Sequence, residues 1–148
     1  MRTYKIMLAA GLLLSVCACN TNKNATPGGD LTGEWIIREV NGKEIKAKSA
    51  DETPYLGFST TDNRIYGNTG CNLLTGSFKA NPKSANKLDL SKVGSTRMMC
   101  ADMQTEQTIL SALDKVTNYA TATGDELWLL NAQHKVTVRL TLRTRQTR

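Results

Sequence analysis

The stretch from Lys135 to Arg143 constrains the fold more than any other part of the chain. Apolar and polar residues alternate there without a break. Val136, Val138, Leu140 and Leu142 fall on one side, and Lys135, Thr137, Arg139, Thr141 and Arg143 on the other. A period of two belongs to a β-strand, and a strand packed on one face and wet on the other belongs to an antiparallel sheet. Such a strand needs partners, and the upstream sequence offers them as hairpins.

Leu31 to Val40 is rich in strand formers and runs into Asn41-Gly42. That dipeptide suits a two-residue hairpin turn, whose central residues need positive φ. Lys43-Glu44-Ile45 begins the return. Tyr55 to Ser59 and Arg64 to Tyr66 flank a turn at Thr60 to Asn63, and Gly76 to Ala80 and Lys87 to Val93 flank a longer loop. Leu88 and Leu90 alternate with Asp89 and Ser91, the half-buried pattern again. Tyr119 to Thr121 and Leu127 to Leu130 complete the set before the final strand. Hairpin follows hairpin, so the expectation is a mainly β (α+β) fold, an antiparallel curved sheet or small barrel.

One segment changes period. Met103, Glu106, Ile109, Leu110, Leu113 and Val116 recur at helical spacings. This predicts one amphipathic helix over about 102–117, with Asp102 as N-cap and Glu106 bringing negative charge to the first turns. Its polar face is not basic, so it reads as a cover for the sheet and not as a membrane-surface helix.

Length and composition fit one soluble globular domain: 148 residues, 40% hydrophobic, mean hydropathy −0.34. They exclude a multi-span membrane protein, a collagen-like chain and a wholly disordered one. A single histidine excludes a His-rich metal site.

The N-terminus points to the cell envelope. Arg2 and Lys5 precede an apolar run from Ile6 to Val16. A membrane-spanning helix needs about 20 apolar residues, so the run fits a secretory signal instead. The run ends in Val16-Cys17-Ala18-Cys19. A bacterial lipoprotein signal ends in a small apolar box closed by the acylated Cys. Ala18 before Cys19 suits the peptidase better than Val16 before Cys17, so Cys19 is the expected lipidation site and Cys17 the alternative. Acyl chains anchor at about 0.8 kcal/mol per buried CH₂. Asn20 after the Cys resembles outer-membrane sorting, facing the periplasm. The expected organisation is a signal over 1–18, a flexible tether over 19–30, a domain over 31–143 and a basic tail over 144–148.

Leu31-Thr32-Gly33-Glu34-Trp35 is echoed by Leu74-Thr75-Gly76-Ser77-Phe78. The echo suggests two strands entering the sheet alike, Gly easing a bend and the aromatic filling the core. Together with Gly67-Asn68-Thr69-Gly70-Cys71-Asn72, Thr96-Arg97-Met98-Met99-Cys100 and Gly124-Asp125-Glu126-Leu127-Trp128-Leu129, the first of these resembles the META-domain family, that of the heat-shock protein HslJ. The likeness covers about residues 29–142. It implies a β-rich fold with one helix and a small, often lipid-anchored envelope protein linked to heat shock and novobiocin tolerance. It supplies no catalytic residues.

Cys71 and Cys100 remain once Cys17 and Cys19 are assigned to the signal. In an oxidising compartment a disulfide is the first expectation for them. Two buried free thiols, or a reactive or metal-bound pair, stay open. Gly70 before Cys71 permits a tight turn. Catalytic and metal readings are poor. His134 falls in a hairpin turn, zinc-like spacing is lacking, and Gly67 to Gly70 is no phosphate loop. Met98-Met99 reads as core packing. No catalytic residue, cofactor or metal is expected.

Removing residues 1–18 leaves 17 bases against 13 acids, and five of those bases with no acid lie from Lys135 onward. Lys135, Arg139 and Arg143 are therefore a candidate contact face, for a protein or for anionic lipid. Their alternative role is to deter edge-to-edge strand pairing. Two functional readings remain. One is a monomeric, non-catalytic lipoprotein supporting envelope stress tolerance by protein or membrane contact. The other is a carrier of a small apolar ligand in a β-barrel. Nucleic acid is not expected as a partner.

Overall fold

The computed structural model describes residues 25–26, 29–47, 49, 52–81, 83, 84, 86–100, 103–122 and 125–143. The signal, Cys17, Cys19, most of the tether and the basic tail lie outside the described residues, as does Asp102.

Among the described residues ten strands and one helix follow in order: β1 (Ala25–Thr26), β2 (Gly33–Val40), β3 (Lys43–Glu44), β4 (Tyr55–Ser59), β5 (Arg64–Asn68), β6 (Leu73–Asn81), β7 (Lys87–Ser95), α1 (Gln104–Leu113), β8 (Asn118–Ala122), β9 (Glu126–Leu130) and β10 (Val136–Leu142). All strand pairs are antiparallel, and β10 lies between β2 and β9. Hydrogen bonding runs from β8 through β7, β6, β5, β4, β2, β10 and β9 and returns to β8. The sheet therefore curves into a ring. It is not a strict barrel, because β7 and β8 meet at a single register pair, Lys87 opposite Asn118.

The helix has its backbone near β10 and β2. Among the described residues, β7 has no strand on its outer side beyond Leu88. Instead Leu90, Val93 and Gly94 share a cleft of about 250 Å³ with Leu110 and Leu113 of α1 and with Asp114 just after it. Ile109, Ala112 and Leu113 enter the core. The helix is shorter than the predicted 102–117 and starts after Met103, which gives no side-chain cap. It ends early because the chain tightens there. Lys115 N–H donates to Ala112 O at 3.2 Å and Val116 N–H to Leu113 O at 3.1 Å, three residues back instead of four. That turn still buries Val116, and Thr117 N–H then reaches Leu130 O at 2.9 Å to begin the pairing of β8 with β9.

Inside the ring Trp35, Ile37, Leu56, Phe58, Ile65, Leu127, Leu129 and Leu140 are essentially fully buried. Trp35 keeps its indole N–H satisfied by donating to Leu31 O at 2.8 Å. Phe58 and Phe78 meet edge to face with centroids 5.3 Å apart. Both aromatics of the repeated pentapeptide, Trp35 and Phe78, are core residues. Gly76 is required by proximity, since a Cβ there would stand 2.1 Å from Lys92 O.

The alternation of β10 is less regular than its sequence. The register shifts between Val136 and Val138 against β9, and between Arg139 and Leu140 against β2. Bulges of this kind swap faces locally. Thr137 is consequently buried and its hydroxyl donates to Leu129 O at 3.1 Å, while Leu142 is exposed.

Candidate functional site

The loop between β5 and β6 turns on Gly70, whose φ of +102° is one that glycine adopts freely. Asn68 Oδ1 accepts the Gly70 N–H at 2.6 Å, and Thr69 donates both its N–H and its hydroxyl to Asn72 O at 3.0 Å. This tight turn drives Asn72 inward until it is fully buried.

The Asn72 side chain then uses its full bonding capacity. Nδ2 donates to Glu106 Oε2 at 2.7 Å and to Met98 O at 3.2 Å. Oδ1 accepts from Met98 N–H and from Thr96 Oγ1, both at 2.7 Å. Two donors and two lone pairs are all that a carboxamide has. Thr96 closes the circuit: its Oγ1 accepts Leu73 N–H at 3.1 Å, and its N–H donates to Leu73 O at 3.0 Å. Among the described residues no buried side-chain nitrogen or oxygen lacks a partner.

Two sequence motifs are thus the two halves of one lock, Gly70-Cys71-Asn72 against Thr96 to Cys100. Cys71 and Cys100 stand at disulfide distance, their Cα atoms 6.1 Å apart. Glu106 is on the helix stripe three residues before Ile109. The sequence places its negative charge in the first turns of the helix; the structure buries it there, bonded to Asn72. A charged residue at a stripe position was the available signal.

Three exposed apolar side chains border this network in the chain. Met98 is 55% exposed, Met99 94% and Leu73 55%. The expectation that Met98-Met99 packs in the core is corrected. Asn72 holds the Met98 backbone on both its N–H and its carbonyl, and the side chains are left outside. The lock fixes the backbone of the strip at Leu73 and at Met98.

The basic strand is placed differently. Arg143 Nη1 lies 3.0 Å from Glu34 Oε2, and its guanidinium sits 4.3 Å above the Tyr55 ring. Glu34 Oε1 also accepts the Tyr66 hydroxyl at 3.4 Å. Arg139 is 3.3 Å from Glu39 and 4.9 Å above the Trp128 ring. The charges of both arginines are shared with neighbouring carboxylates, a ladder that the sequence reading missed because its partners come from β2, β4 and β9. Lys135 is exposed in the turn before β10, with its N–H on Asn131 Oδ1 at 2.9 Å. His134 is exposed in the same turn at φ +57°.

Clefts open at the rim of the ring. One of about 460 Å³ is lined by Asp30, Leu31, Thr60, Asn63, Phe78 and Tyr119. Hydrogen bonds from Thr32 hold the Asp30 carboxyl below its ordinary range. Burial, reinforced by the Asp30 charge, pushes the Tyr119 hydroxyl up. A second cleft of about 380 Å³ lies by Ala80, Leu88 and Val116, where β7 and β8 meet. No group of three or more His, Cys, Asp or Glu among the described residues is arranged to hold a metal ion. No helix among them is long and apolar enough to cross a membrane.

The META domain family model matches residues 29–144. The solution structure of a protein from Burkholderia xenovorans is similar with a TM-score of 0.59 and 25% identity, over 78% of this chain and 85% of that one. The crystal structure of a DUF4847 family protein from Bacteroides vulgatus is similar with a TM-score of 0.55, over 78% of this chain and 96% of that one. At 13% identity the second likeness concerns the fold alone. No curated protein matches the chain significantly.

Proposed function

The chain belongs to the META-domain family, and on that premise we propose that it is a non-catalytic contact module, held at the outer membrane by a lipid on Cys19, that supports envelope stress tolerance. It works by presenting Leu73, Met98 and Met99 to an apolar patch on another envelope protein. The observation that carries this reading is the exposure of Met98 and Met99 beside a buried polar side chain that fixes the Met98 backbone. Flexible, polarizable thioethers suit an adaptable contact surface. A rigid backbone beneath them lowers the ordering cost of binding. The tether adds effective concentration toward other envelope components.

The inner space of the ring is taken up by Trp35, Phe58 and their neighbours, which favours contact over carriage. A carrier of a small apolar ligand would have to use the cleft of about 460 Å³ beside Phe78 and Tyr119.

The test is a photo-crosslinking amino acid placed at Leu73 in the full chain in intact cells, with Lys83 as the control position. A discrete adduct at Leu73 and none at Lys83 is expected. Cys19→Ala should release the protein from the membrane fraction and lose the adduct, whereas Cys17→Ala should do neither. Equal labelling at both positions would sink the reading.

A further inference from the structure

We propose that Met98 and Met99 are a peroxide-sensitive modification site that turns the contact strip off without unfolding the domain. The inference rests on the contact role of that strip.

Three observations carry it. Met99 is 94% exposed and Met98 55%, so their thioethers are open to a small oxidant. Cys71 and Cys100 stand at disulfide distance, and as a disulfide they hold no thiolate to compete for it. Met103, the third methionine of the segment, is less exposed, and its sulfur accepts the Cys100 N–H at 3.5 Å. This segment therefore carries two exposed thioethers and, four residues after Met99, a less exposed one.

The oxidant is a hydroperoxide. A sulfur lone pair attacks the terminal peroxide oxygen, the S–O bond forms and the O–O bond breaks. The leaving alkoxide or hydroxide takes the displaced proton and departs as alcohol or water. Sulfur loses two electrons and the peroxide gains them. The product sulfoxide is polar where the thioether was apolar, a change that disrupts Met-rich contact surfaces. The underlying lock uses backbone atoms of Met98 and side chains of Asn72, Thr96 and Glu106, none of which reacts. The fold is expected to persist.

The experiment treats cells carrying the full chain, with the photo-crosslinker at Leu73, with hydrogen peroxide. Each methionine is then read by mass spectrometry beside the crosslink yield. Met98 and Met99 should gain oxygen at least about tenfold faster than Met103. The yield should fall in step, and the thermal midpoint of the purified oxidised protein should stay unchanged. A Met98→Leu, Met99→Leu double variant should crosslink before and after peroxide alike. Absence of any adduct before peroxide would count against the contact role itself. An adduct that survives oxidation of both residues, oxidation of Met103 at the same rate, or unfolding on oxidation would overturn the switch and leave the contact role standing.

Discussion

Asn72 Nδ2 donates to Glu106 Oε2 at 2.7 Å and so ties the β5–β6 loop to the first turn of the helix, 34 residues further along. Both side chains are buried, and the same amide holds Met98 and Thr96. Asn72→Ala would strand the buried Glu106 carboxylate, while the Met98 N–H and the Thr96 hydroxyl, on exposed residues, can turn to water. An unsatisfied buried group costs about 1–3 kcal/mol, so a loss of about that size is expected. Glu106→Gln keeps an acceptor for Nδ2 and should cost less than Glu106→Ala. Urea denaturation of the variants checks the order, and equal losses for Gln and Ala would show that the bond to Asn72 is unimportant.

Cys71 and Cys100 stand at disulfide distance, and a bond between them would close a loop with a sequence separation of 29. Chain-entropy arithmetic assigns such a loop about 3.5 kcal/mol. Cys71→Ser or Cys100→Ser should lower stability by up to that amount, and the double variant by no more than either single one. Thiol titration of the folded, unreduced protein should find neither group free. Two titratable thiols would overturn the disulfide.

The fold was legible wherever one strand face is wet. Asn41-Gly42 predicted a hairpin, and both residues have positive φ, Asn41 at 50° and Gly42 at 81°. The amphipathic stripe located the helix, although its early tightening after Leu113 could not be read from spacing. What stayed hidden depends on contacts between distant segments. The β10 bulges that bury Thr137 are set by register against two partner strands. Asn72 stands in the sequence only as the close of the Gly67–Asn72 motif, yet it is the centre of a network reaching Thr96, Met98 and Glu106. Met98-Met99 is apolar and was assigned to the core on that ground alone. Apolar character does not say which way a segment faces when its backbone is fixed by polar bonds.

Asp30 gives the acid limb of stability a checkable component. The Thr32 hydroxyl and N–H depress its pKa below 3.8, outweighing a small opposing effect of burial. A carboxyl with a depressed folded value stabilises above its unfolded pKa, and that contribution is lost as pH falls through the folded one. The window therefore lies below about pH 4. The effect should be small because Asp30 is largely solvated. Carboxyl-carbon NMR titration should show a low midpoint for Asp30, and Thr32→Val should bring it part of the way back. An unchanged midpoint in that variant would assign the shift to something other than the Thr32 hydroxyl.

Arg143 joins the ring's outer face across three strands. Its guanidinium is paired with Glu34 on β2 and stacked on Tyr55 of β4, just past the end of β10. Exposed ion pairs contribute about 0.2–1 kcal/mol and exposed cation–π contacts about 0.5–1. Arg143→Lys keeps the charge but loses the planar stack, so a loss of about 0.5 kcal/mol is expected. Arg143→Glu sets two carboxylates against each other and should cost about 1–2 kcal/mol, less at high salt because the site is only half-buried. The exchange Glu34→Arg with Arg143→Glu should recover part of that loss, since it restores opposite charges while leaving the ring without its stacked cation. Urea midpoints at low and high salt measure all three variants. If charge reversal at Arg143 leaves stability untouched and instead removes the Leu73 crosslink, the arginine belongs to the contact surface and not to the ladder that holds β2, β4 and β10 together.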